Sequence, residues 1–480
     1  MRALPWLGQA LGLLSAILLP LGQAAADVAP FKNVVLILSD DHRYDFLGFH
    51  PDGPEFIETP NFDRMAREGA HMENAFVTTS LCSPSRATIL TGQYMHRHKV
   101  VDNQRAVPNG TRFFPEYLQS SGIETAYIGK WHMGHDNDAP RKGFDHWASF
   151  KGQGVYFDPE FNINGSRKKF EGYNADVTAD LALNYLKGVG KKRFYLQVGF
   201  KAVHYPFQPA KRHHGRYDKF KVPFPQTMSL TERNYETQPN WVRERRYGIH
   251  GIDHMETGPL DNDPVPSFPG LYRRFAETVH GLDENVGRMI AALEETGQLE
   301  NTIVIFMSDH GEMLGDHGIY LKGPHFYEAA VHVPLVMQWP NQFQANQRTN
   351  GLMELTDIAP TLLDAAGIEI PTAMQGKTLL PILQGTADPH AHRDYVFSEY
   401  YNAWSHRHSY GTMYRTETHK MIVYHGTDQG ELYDLQADPN EFENLWHNLD
   451  HAALKTDLLK ATFDASVFTM DPTPLREGPF

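Results

Sequence analysis

Four apolar stretches of the chain have the pattern of strands that are buried on both faces of a sheet. They cover residues 33–38, 123–128, 193–199 and 302–307. Apolar residues recur with helical spacing in the segments between and beside them, which are 61–68, 87–90, 115–120, 175–186 and 272–293. Strands that alternate with helices predict an α/β fold, with a large, mainly parallel mixed sheet covered by helices on both faces.

The pattern changes near residue 385, where four short strand-like segments follow one another with turns between them. These segments are 395–399, 412–415, 420–424 and 430–434, and a helical segment covers about 452–463. The change predicts a catalytic domain over residues 27–385 and a smaller C-terminal α+β subdomain over 386–480 that contains an antiparallel sheet. The stretch 212–269 is rich in Pro, His and aromatic residues without periodicity, and it predicts long loops.

The first 26 residues have the pattern of a secretory signal peptide. Arg2 precedes a short apolar stretch, which is followed by the small residues Ala24, Ala25 and Ala26. A retained N-terminal anchor is the alternative interpretation, although glycine and proline residues interrupt the apolar stretch and it is short for a membrane span. No later stretch is apolar enough to cross a bilayer. We therefore expect an exported protein, periplasmic or extracellular, without stable membrane insertion.

Charge and cysteine content narrow the possible partners and chemistry. The formal net charge is -14, which argues against nucleic acid as a partner. An anionic substrate would then have to be attracted by a local cluster of cations. The chain contains 1 cysteine, Cys82, whereas exported proteins usually carry cysteines in pairs or none at all. Cys82 is therefore either an inert buried residue or a reactive group.

Acidic residues follow two of the buried strands directly. Asp40 and Asp41 follow the first strand, and Asp309 and His310 follow the last. In open α/β sheets, ligands bind beyond the carboxyl ends of the strands. Three carboxylates gathered there would repel one another unless a cation lay between them. Oxygen ligands predict Ca²⁺, with Mg²⁺ as the alternative, while His310 is a softer ligand and leaves the identity of the metal less defined.

Cys82 lies just before Pro84 and a helical stretch, which places it at a helix N-terminus, where the helix dipole favours anions. Further basic residues that could join it are Arg86, Lys130, His132, His204 and Lys322. Each of them alone would be an exposed cation. Gathered around a metal, they would form an oxyanion clamp with candidates for the general acid. Such a site suits the cleavage of a tetrahedral anionic ester.

The residues around Cys82 resemble the signature of a known family. The runs at 82–86 and 90–92 match C-x-P-S-R-x-x-x-L-T-G, the signature of type I, formylglycine-dependent sulfatases of the alkaline-phosphatase-like superfamily. The run Gly-Lys-Trp-His at 129–132 fits the same family, as does the tail motif that begins at Glu431. The resemblance extends from about residue 33 to residue 444. It implies a sulfuric ester hydrolase with the fold predicted above.

The resemblance also implies a modified nucleophile and a metal site. In this family the motif cysteine is oxidised during export by a formylglycine-generating enzyme, and the resulting aldehyde hydrates to a geminal diol. Carried onto this chain, residue 82 supplies the nucleophilic oxygen and touches the Ca²⁺. The other implied metal ligands are Asp40, Asp41, Asp309 and His310. Many relatives have Asn at the position of His310, although histidine is a known variant.

The same resemblance implies roles for the basic residues. Arg86 and Lys130 would hold the nucleophile and the sulfate group. His204 and Lys322 would protonate or stabilise the leaving alcohol oxygen. His132 would take the proton from the second hydroxyl of residue 82 as sulfate is expelled and the aldehyde is regenerated.

Two alternatives to a sulfatase are open at this point. The first is a phosphonate monoester hydrolase or phosphodiesterase of the same superfamily, which shares the formylglycine motif. A phosphodiester carries one negative charge, as a sulfate monoester does, so the clamp alone does not exclude it. The predicted export and the run at 129–132 favour sulfate. The second alternative is a sugar-binding protein with an unmodified cysteine.

The substrate class is predicted from weaker resemblances. Residues 94–103 resemble N-acetylglucosamine-6-sulfatase-like members, and residues 150–154 and 162–165 resemble secreted bacterial polysaccharide sulfatases. We therefore expect a sulfated carbohydrate, either a glycosaminoglycan or an algal polysaccharide fragment. Several residues at loop tips are candidates for sugar contacts, and we expect that most of them have no effect on sugar binding. These candidates are His98, Asp102, Asn103, His213, His214, His406 and His408.

Overall fold

A ten-stranded mixed sheet forms the centre of the fold. The computed structural model describes residues 31–248, 250–252, 267–401 and 410–470. In these ranges the strands are β1 (Asn33–Ser39), β2 (Ala70–Met72), β3 (Ala75–Phe76), β4 (Glu124–Lys130), β5 (His146–Phe150), β6 (Glu160–Ile163), β7 (Ser166–Lys169), β8 (Phe194–Gly199), β9 (Thr302–Ser308), β10 (His332–Val333), β11 (Leu335–Gln338), β12 (Gln347–Thr349), β13 (Met353–Glu354), β14 (Val396–Tyr401), β15 (Tyr410–Arg415), β16 (His419–His425) and β17 (Gly430–Asp434). The α-helices in the same ranges are α1 (Pro60–Glu68), α2 (Cys82–Thr91), α3 (Met95–His98), α4 (Phe114–Ser120), α5 (Asn174–Gly188), α6 (Asn240–Arg245), α7 (Phe268–Glu295), α8 (Glu328–Val331), α9 (Ile358–Ala365), α10 (Leu380–Leu383) and α11 (Ala452–Phe468).

The strand order of the large sheet is β12-β2-β11-β9-β1-β8-β4-β5-β6-β7. Neighbouring strands from β9 to β5 are parallel to one another. Antiparallel partners flank this parallel centre, with β11 beside β9 and β6 beside β5. The predicted α/β fold with a mainly parallel mixed sheet is confirmed.

Strand β1 shows why the central strands are apolar along their whole length. Val34, Leu36 and Leu38 belong to an apolar cluster on one face of the sheet, and Val35 and Ile37 belong to a cluster on the other face. Helices α2 and α9 contribute to the first cluster, and α5 and α7 contribute to the second. Since both faces are covered, the charged side chains of these central strands gather where the strands end.

Two element boundaries place chemically important residues on regular structure. The helix predicted at 87–90 begins at Cys82, which is its first residue. The strand predicted at 123–128 continues to Lys130. Both side chains therefore start from a backbone that is fixed by helix or sheet hydrogen bonds.

The C-terminal strands β14, β15, β16 and β17 form a four-stranded antiparallel sheet in chain order. Helix α11 packs against β15 and β16, which confirms the antiparallel sheet predicted for this region. Val396, Met413 and Ile422 share the apolar cluster that contains Leu36 of β1, so the small sheet packs on the main body. The domain boundary between residues 385 and 386 stays a prediction.

Some predictions fall on parts of the chain outside the described residues. They are the signal peptide at 1–26 and the candidate sugar contacts His406 and His408. Within the described ranges, none of the helices combines the length and the apolar composition of a membrane span. The predicted export remains an expectation.

Candidate active site

The carboxyl ends of four adjacent strands bring the predicted site residues to one edge of the sheet. Strands β9, β1, β8 and β4 are neighbours in that order, and they are parallel. The residues at or just beyond their ends are Asp309, His310, Asp40, Asp41, His204, Lys130 and His132. Cys82 and Arg86 come from α2, and Lys322 comes from the segment that precedes α8.

The Cys82 thiol is completely buried at the first residue of α2. His310 Nε2 lies 3.3 Å from Cys82 Sγ, and Lys130 Nζ lies 3.9 Å from it. Burial opposes ionisation of the thiol, but the positive charges of Lys130 and Lys322 outweigh burial and lower the pKa of Cys82 to about 5. The position therefore stabilises a negative charge or an electron-rich oxygen.

Arg86 joins α2 to two strand ends. Its Nε donates to Asp309 Oδ2 at 2.9 Å, and its Nη1 donates to the carbonyl oxygen of Lys130 at 2.6 Å. Its Nη2 lies 3.5 Å from Asp40 Oδ1. The guanidinium is buried, so these contacts hold it in one orientation beside Cys82.

The Asp41 carboxylate is surrounded by three basic side chains. Lys322 Nζ lies 2.5 Å from Asp41 Oδ2, and His310 Nε2 lies 3.1 Å from Asp41 Oδ1. His204 Nε2 is further away, at 3.8 Å from Oδ2. The neighbouring Asp40 carboxylate forms an ion pair with Lys130.

The buried charges of this cluster alter one another's protonation. Burial raises the pKa of Asp309 to about 7, and the nearby Asp40 carboxylate adds to this effect. Burial opposes ionisation of Asp40, but Lys130 holds the pKa of Asp40 well below its usual value. Burial disfavours the charged form of His310, yet Asp309 and Asp41 raise the pKa of His310 to about 10. The protonation of each of these groups therefore depends on the charges of its neighbours.

The donor set fits a hard divalent cation. Atoms of Asp40, Cys82, Asp309 and His310 lie within 4.8 Å of one another. Asp40 Oδ1 and Asp41 Oδ1 are buried and accept no hydrogen bond from the described residues. Unpaired buried carboxylate oxygens are costly unless a metal or another cation satisfies them. Carboxylate oxygens are the ligands that Ca²⁺ and Mg²⁺ prefer.

His204 and Lys322 lie at the open side of the cluster. Each side chain is 12% exposed, whereas those of Asp41 and Asp309 are completely buried. His204 Nδ1 contacts the carbonyl oxygen of Tyr205 at 2.5 Å, which fixes the orientation of the ring. Burial and the charge of Lys322 hold the pKa of His204 well below its usual value. A molecule entering from solvent would meet these two side chains first.

His132 lies just beyond β4, two residues after Lys130. It is buried, its φ is 55°, and its carbonyl oxygen accepts a hydrogen bond from Ser83, the residue after Cys82. Its Nδ1 has no hydrogen-bond partner among the described residues. Burial and the charge of Lys130 lower the pKa of His132 to about 2, so the ring is neutral.

Two residues that the sequence did not single out belong to the same site. Lys201 is 3% exposed, and its Nζ lies 4.7 Å from the centre of the Tyr156 ring. Burial and Lys130 lower the pKa of Lys201 to about 7. Lys201 follows the end of β8, so the strand-end pattern could have identified it. Gln153 accepts a hydrogen bond from Lys130 Nζ, and no sequence signal marks this contact.

The candidate sugar contacts have different surroundings. The prediction for His98 is wrong, because its ring is buried and bonds to Thr88 Oγ1 and to the Val100 amide. The Asp102 side chain caps the amide groups of the two residues at 104 and 105. Asn103 Oδ1 accepts a hydrogen bond from the amide of the residue after Cys82, at 3.0 Å.

His213 and His214, two further candidates for sugar contacts, also have different surroundings. The His213 ring is buried and lies 2.8 Å from Glu284, so it is occupied within the protein. His214 is exposed and lines a cavity of about 470 Å³ together with Lys211 and Arg274. Of the two, only His214 is placed for a contact with an external sugar.

Comparison with protein families gives two matches. The profile described as Sulfatase matches residues 32–368. The profile described as N-sulphoglucosamine sulphohydrolase, C-terminal, matches residues 315–466. The first match covers every residue of the cluster described above.

Individual relatives are similar over most of their length. An N-acetylglucosamine-6-O-sulfatase of Bacteroides thetaiotaomicron is 32% identical over 93% of this chain and 89% of its own. A multifunctional alkaline phosphatase superfamily protein of Trinickia caryophylli is 29% identical over 89% of this chain and 93% of its own. A solved structure of a protein in complex with its substrate D-glucosamine-2-N,6-O-disulfate matches with a TM-score of 0.82 and 28% identity, over 94% of this chain and 100% of that chain.

Proposed function

The chain belongs to the sulfatase family and is a hydrolase that acts on sulfate esters, and from this premise we propose that it removes sulfate from a sulfated carbohydrate at Cys82. One observation carries the proposal. Cys82 lies at a helix N-terminus in contact with His310 and Lys130, beside three buried carboxylates. This arrangement supplies a nucleophile position, an anion clamp and a set of metal ligands in one place.

The nucleophile that we propose is formylglycine, made from Cys82. After Cys82 has been oxidised to the aldehyde and the aldehyde has been hydrated, residue 82 offers two hydroxyl groups. One would attack sulfur, and the other would drive release of the sulfate group. Asp40, Asp41, Asp309 and His310 would hold a divalent cation, Ca²⁺ or Mg²⁺. Such a cation neutralises the carboxylates and polarises the sulfate oxygens.

The protein side chains would do the remaining work of binding the sulfate group. Lys130 and Arg86 lie next to residue 82 and are paired with Asp40 and Asp309, whose charge a bound divalent cation would neutralise. Lys201 adds a third basic side chain to the site, without a carboxylate of the described residues within ion-pair distance. Fixed cations in a buried site stabilise the charge that develops on the sulfate oxygens during the reaction.

His204 and Lys322 are placed to act on the leaving oxygen of the sugar. Both reach the open side of the cluster, where the sugar would lie, and both approach Asp41 Oδ2. Lys322 is the charged member of the pair, because Asp41 outweighs burial and raises the pKa of Lys322 above its usual value, and its charge would stabilise the leaving oxygen. We propose that His132, whose Nδ1 has no hydrogen-bond partner among the described residues, takes the proton from the second hydroxyl of residue 82.

The carbohydrate class is supported by the relatives. One is named an N-acetylglucosamine-6-O-sulfatase, and the solved structure holds a sulfated glucosamine. We propose a 6-O-sulfated glucosamine unit of a glycosaminoglycan or a related polysaccharide fragment as the substrate. We also propose export to the periplasm or the extracellular space, with a formylglycine-generating enzyme as the maturation partner. The apolar residues that precede position 26 support the export proposal.

A substrate panel tests this proposal. Purified protein with a measured formylglycine content is incubated with N-acetylglucosamine 6-sulfate, other sulfated monosaccharides, 4-nitrophenyl sulfate and bis(4-nitrophenyl) phosphate. We expect release of inorganic sulfate from a 6-sulfated glucosamine at the highest kcat/KM. Hydrolysis of the phosphate diester alone would contradict the proposal and favour the phosphodiesterase alternative.

A further inference from the structure

A second cluster of basic side chains lies beside the segment that carries Lys322. Its basic members are Arg245 of α6, His250 and His325, with Trp241 of α6 stacked on His325, and we call it the Arg245 cluster. His325 is three residues beyond Lys322, and the His250 carbonyl oxygen accepts a hydrogen bond from the Tyr320 amide at 2.9 Å. Both histidines are therefore tied to the backbone around Lys322.

Arg245 is half-buried and has no carboxylate partner among the described residues. Its Nη1 lies 3.0 Å from His250 Nδ1. Burial lowers the pKa of Arg245, and the nearby Tyr400 hydroxyl opposes this effect. A guanidinium that is partly removed from water is costly unless it is paired with an anion. Arg245 therefore lacks an anionic partner within the part of the chain that the structure describes.

His325 has the same deficit in a more buried position. Its side chain is 1% exposed, and neither ring nitrogen has a hydrogen-bond partner among the described residues. The ring stacks on Trp241, with 5.2 Å between the centroids and 12° between the planes. The stack fixes the orientation of the ring, so its nitrogens face a defined direction. A buried polar group without a protein partner requires another one, such as a water molecule, an ion or a ligand.

Gly323 shows where that ligand would lie. A Cβ atom added at Gly323 would come within 3.1 Å of His325 Nε2 and 3.5 Å of Arg245 Nη1. A side chain at Gly323 would therefore crowd His325, so glycine lets the backbone lie close to both nitrogen atoms, and a group bound by Arg245 would lie beside this glycine. The Tyr400 hydroxyl contacts the carbonyl oxygens of both Gly323, at 2.8 Å, and Ser80. Since Ser80 is two residues before Cys82, this space adjoins the nucleophile segment.

We propose that the Arg245 cluster binds a second anionic substituent of the sugar whose sulfate ester lies at Cys82. The substituent is an oxyanion, either a further sulfate group on the same sugar or the carboxylate of a neighbouring uronic acid. Arg245 would donate two parallel hydrogen bonds to it, and His250 would add a neutral donor. This inference rests on the proposed function, because it assigns the part of the substrate that does not react.

The test compares substrates with and without the second anion. The wild type and Arg245→Gln are assayed on D-glucosamine 2-N,6-O-disulfate and on N-acetylglucosamine 6-sulfate. The third substrate is a disaccharide in which a uronic acid is linked to N-acetylglucosamine 6-sulfate. We expect Arg245→Gln to lower kcat/KM by about tenfold to hundredfold on whichever doubly anionic substrate uses the site, mainly through KM. The change on N-acetylglucosamine 6-sulfate should be less than about twofold, because that sugar has no second anion.

Arg243→Gln is the matched control, because Arg243 lies on the same helix and donates instead to Asn240. We expect it to match the wild type on all three substrates. Equal losses for Arg245→Gln on all three sugars would overturn the proposal, since that result describes a structural role. No loss on either doubly anionic sugar would also overturn it.

A binding measurement separates this proposal from the proposed function. The same three sugars are titrated by calorimetry into Cys82→Ala protein, with and without Arg245→Gln. Tighter binding of a doubly anionic sugar, lost in the double variant, supports the subsite even if the wild type releases no sulfate. Binding that is equally tight with and without the second anion overturns the subsite, even if sulfate release is observed.

Discussion

Arg86 Nε lies 2.9 Å from Asp309 Oδ2, and both side chains are almost completely buried. This ion pair links the helix that starts at Cys82 to the end of β9, where the proposed metal ligands lie. The position of the nucleophile and the position of the metal site are therefore coupled through one contact. Arg86 therefore stabilises the fold in addition to contributing to anion binding.

Loss of this pair should destabilise the fold strongly. Arg86→Ala leaves the Asp309 carboxylate buried without its cation, and we expect it to lower the free energy of unfolding by about 3–5 kcal/mol. The measurement is a urea titration followed by fluorescence. Arg64→Ala is the control, because Arg64 pairs with Glu68 on the surface, where such pairs contribute about 0–1 kcal/mol. Equal losses in the two variants would contradict the coupling.

Metal removal should lower the melting temperature as well as the activity. Without the metal, the three buried carboxylates repel one another more strongly. A metal that is present at 100 times its Kd stabilises a protein by about 2.7 kcal/mol. We expect a chelator to reduce the Tm and Ca²⁺ to restore it, and Mg²⁺ is tested in parallel. Asp41→Asn should abolish this metal-dependent shift.

A matched acidic residue provides the control for the metal experiment. Asp45 is buried nearby but pairs with Arg43 rather than joining the carboxylate cluster. Asp45→Asn should therefore keep the Ca²⁺-dependent rise in Tm. If the wild type shows no Tm change with either metal after chelation, the proposed metal site is wrong.

Lys201 should contribute to catalysis but not to stability. Its ammonium group is buried against the Tyr156 ring with no carboxylate partner among the described residues, so removing the charge relieves a cost of burial. We expect Lys201→Met to keep or raise the Tm and to lower kcat/KM on 4-nitrophenyl sulfate by about tenfold or more. The exposed Lys211→Met serves as control. A fall in Tm with unchanged kinetics would assign Lys201 a packing role instead.

Asp283 of α7 should stabilise the start of α1 without affecting turnover. Its carboxylate accepts hydrogen bonds from the amides of Asn61 at 3.1 Å and Phe62 at 2.8 Å, in the first turn of α1. We expect Asp283→Ala to lower the free energy of unfolding by about 1–2 kcal/mol, as the loss of a helix cap does. Urea unfolding measures the change, and kcat should stay at the wild-type value. If Asp283→Ala left the free energy of unfolding unchanged, water would be replacing the hydrogen bonds of the cap.

The sequence predicted the location of the site because its information is local. Buried parallel strands are apolar along their whole length, so the acidic pair after β1 and the one after β9 stand out where each strand ends. Adjacency of these ends follows from the parallel sheet. The position of Cys82 at the first residue of α2 likewise follows from Pro84 and the helical stretch after it.

Other contacts could not be predicted, because they join residues that are distant in the chain and lie on irregular backbone. Arg245 and His325 approach each other through a stretch where apolar periodicity is absent, and the contact of Gln153 with Lys130 has no local signal. The error at His98 has a related cause. A histidine in a polar run looks exposed, but tertiary packing buries it beneath its neighbours.

The most direct test of the central claim measures sulfate release against the formylglycine content of residue 82. Samples prepared with different degrees of conversion are quantified by peptide mass spectrometry and assayed on N-acetylglucosamine 6-sulfate. We predict an initial rate that is proportional to the converted fraction, passes through zero for unconverted protein, and is abolished in Cys82→Ala. A rate that does not depend on the converted fraction, or that persists in Cys82→Ala, would contradict the account.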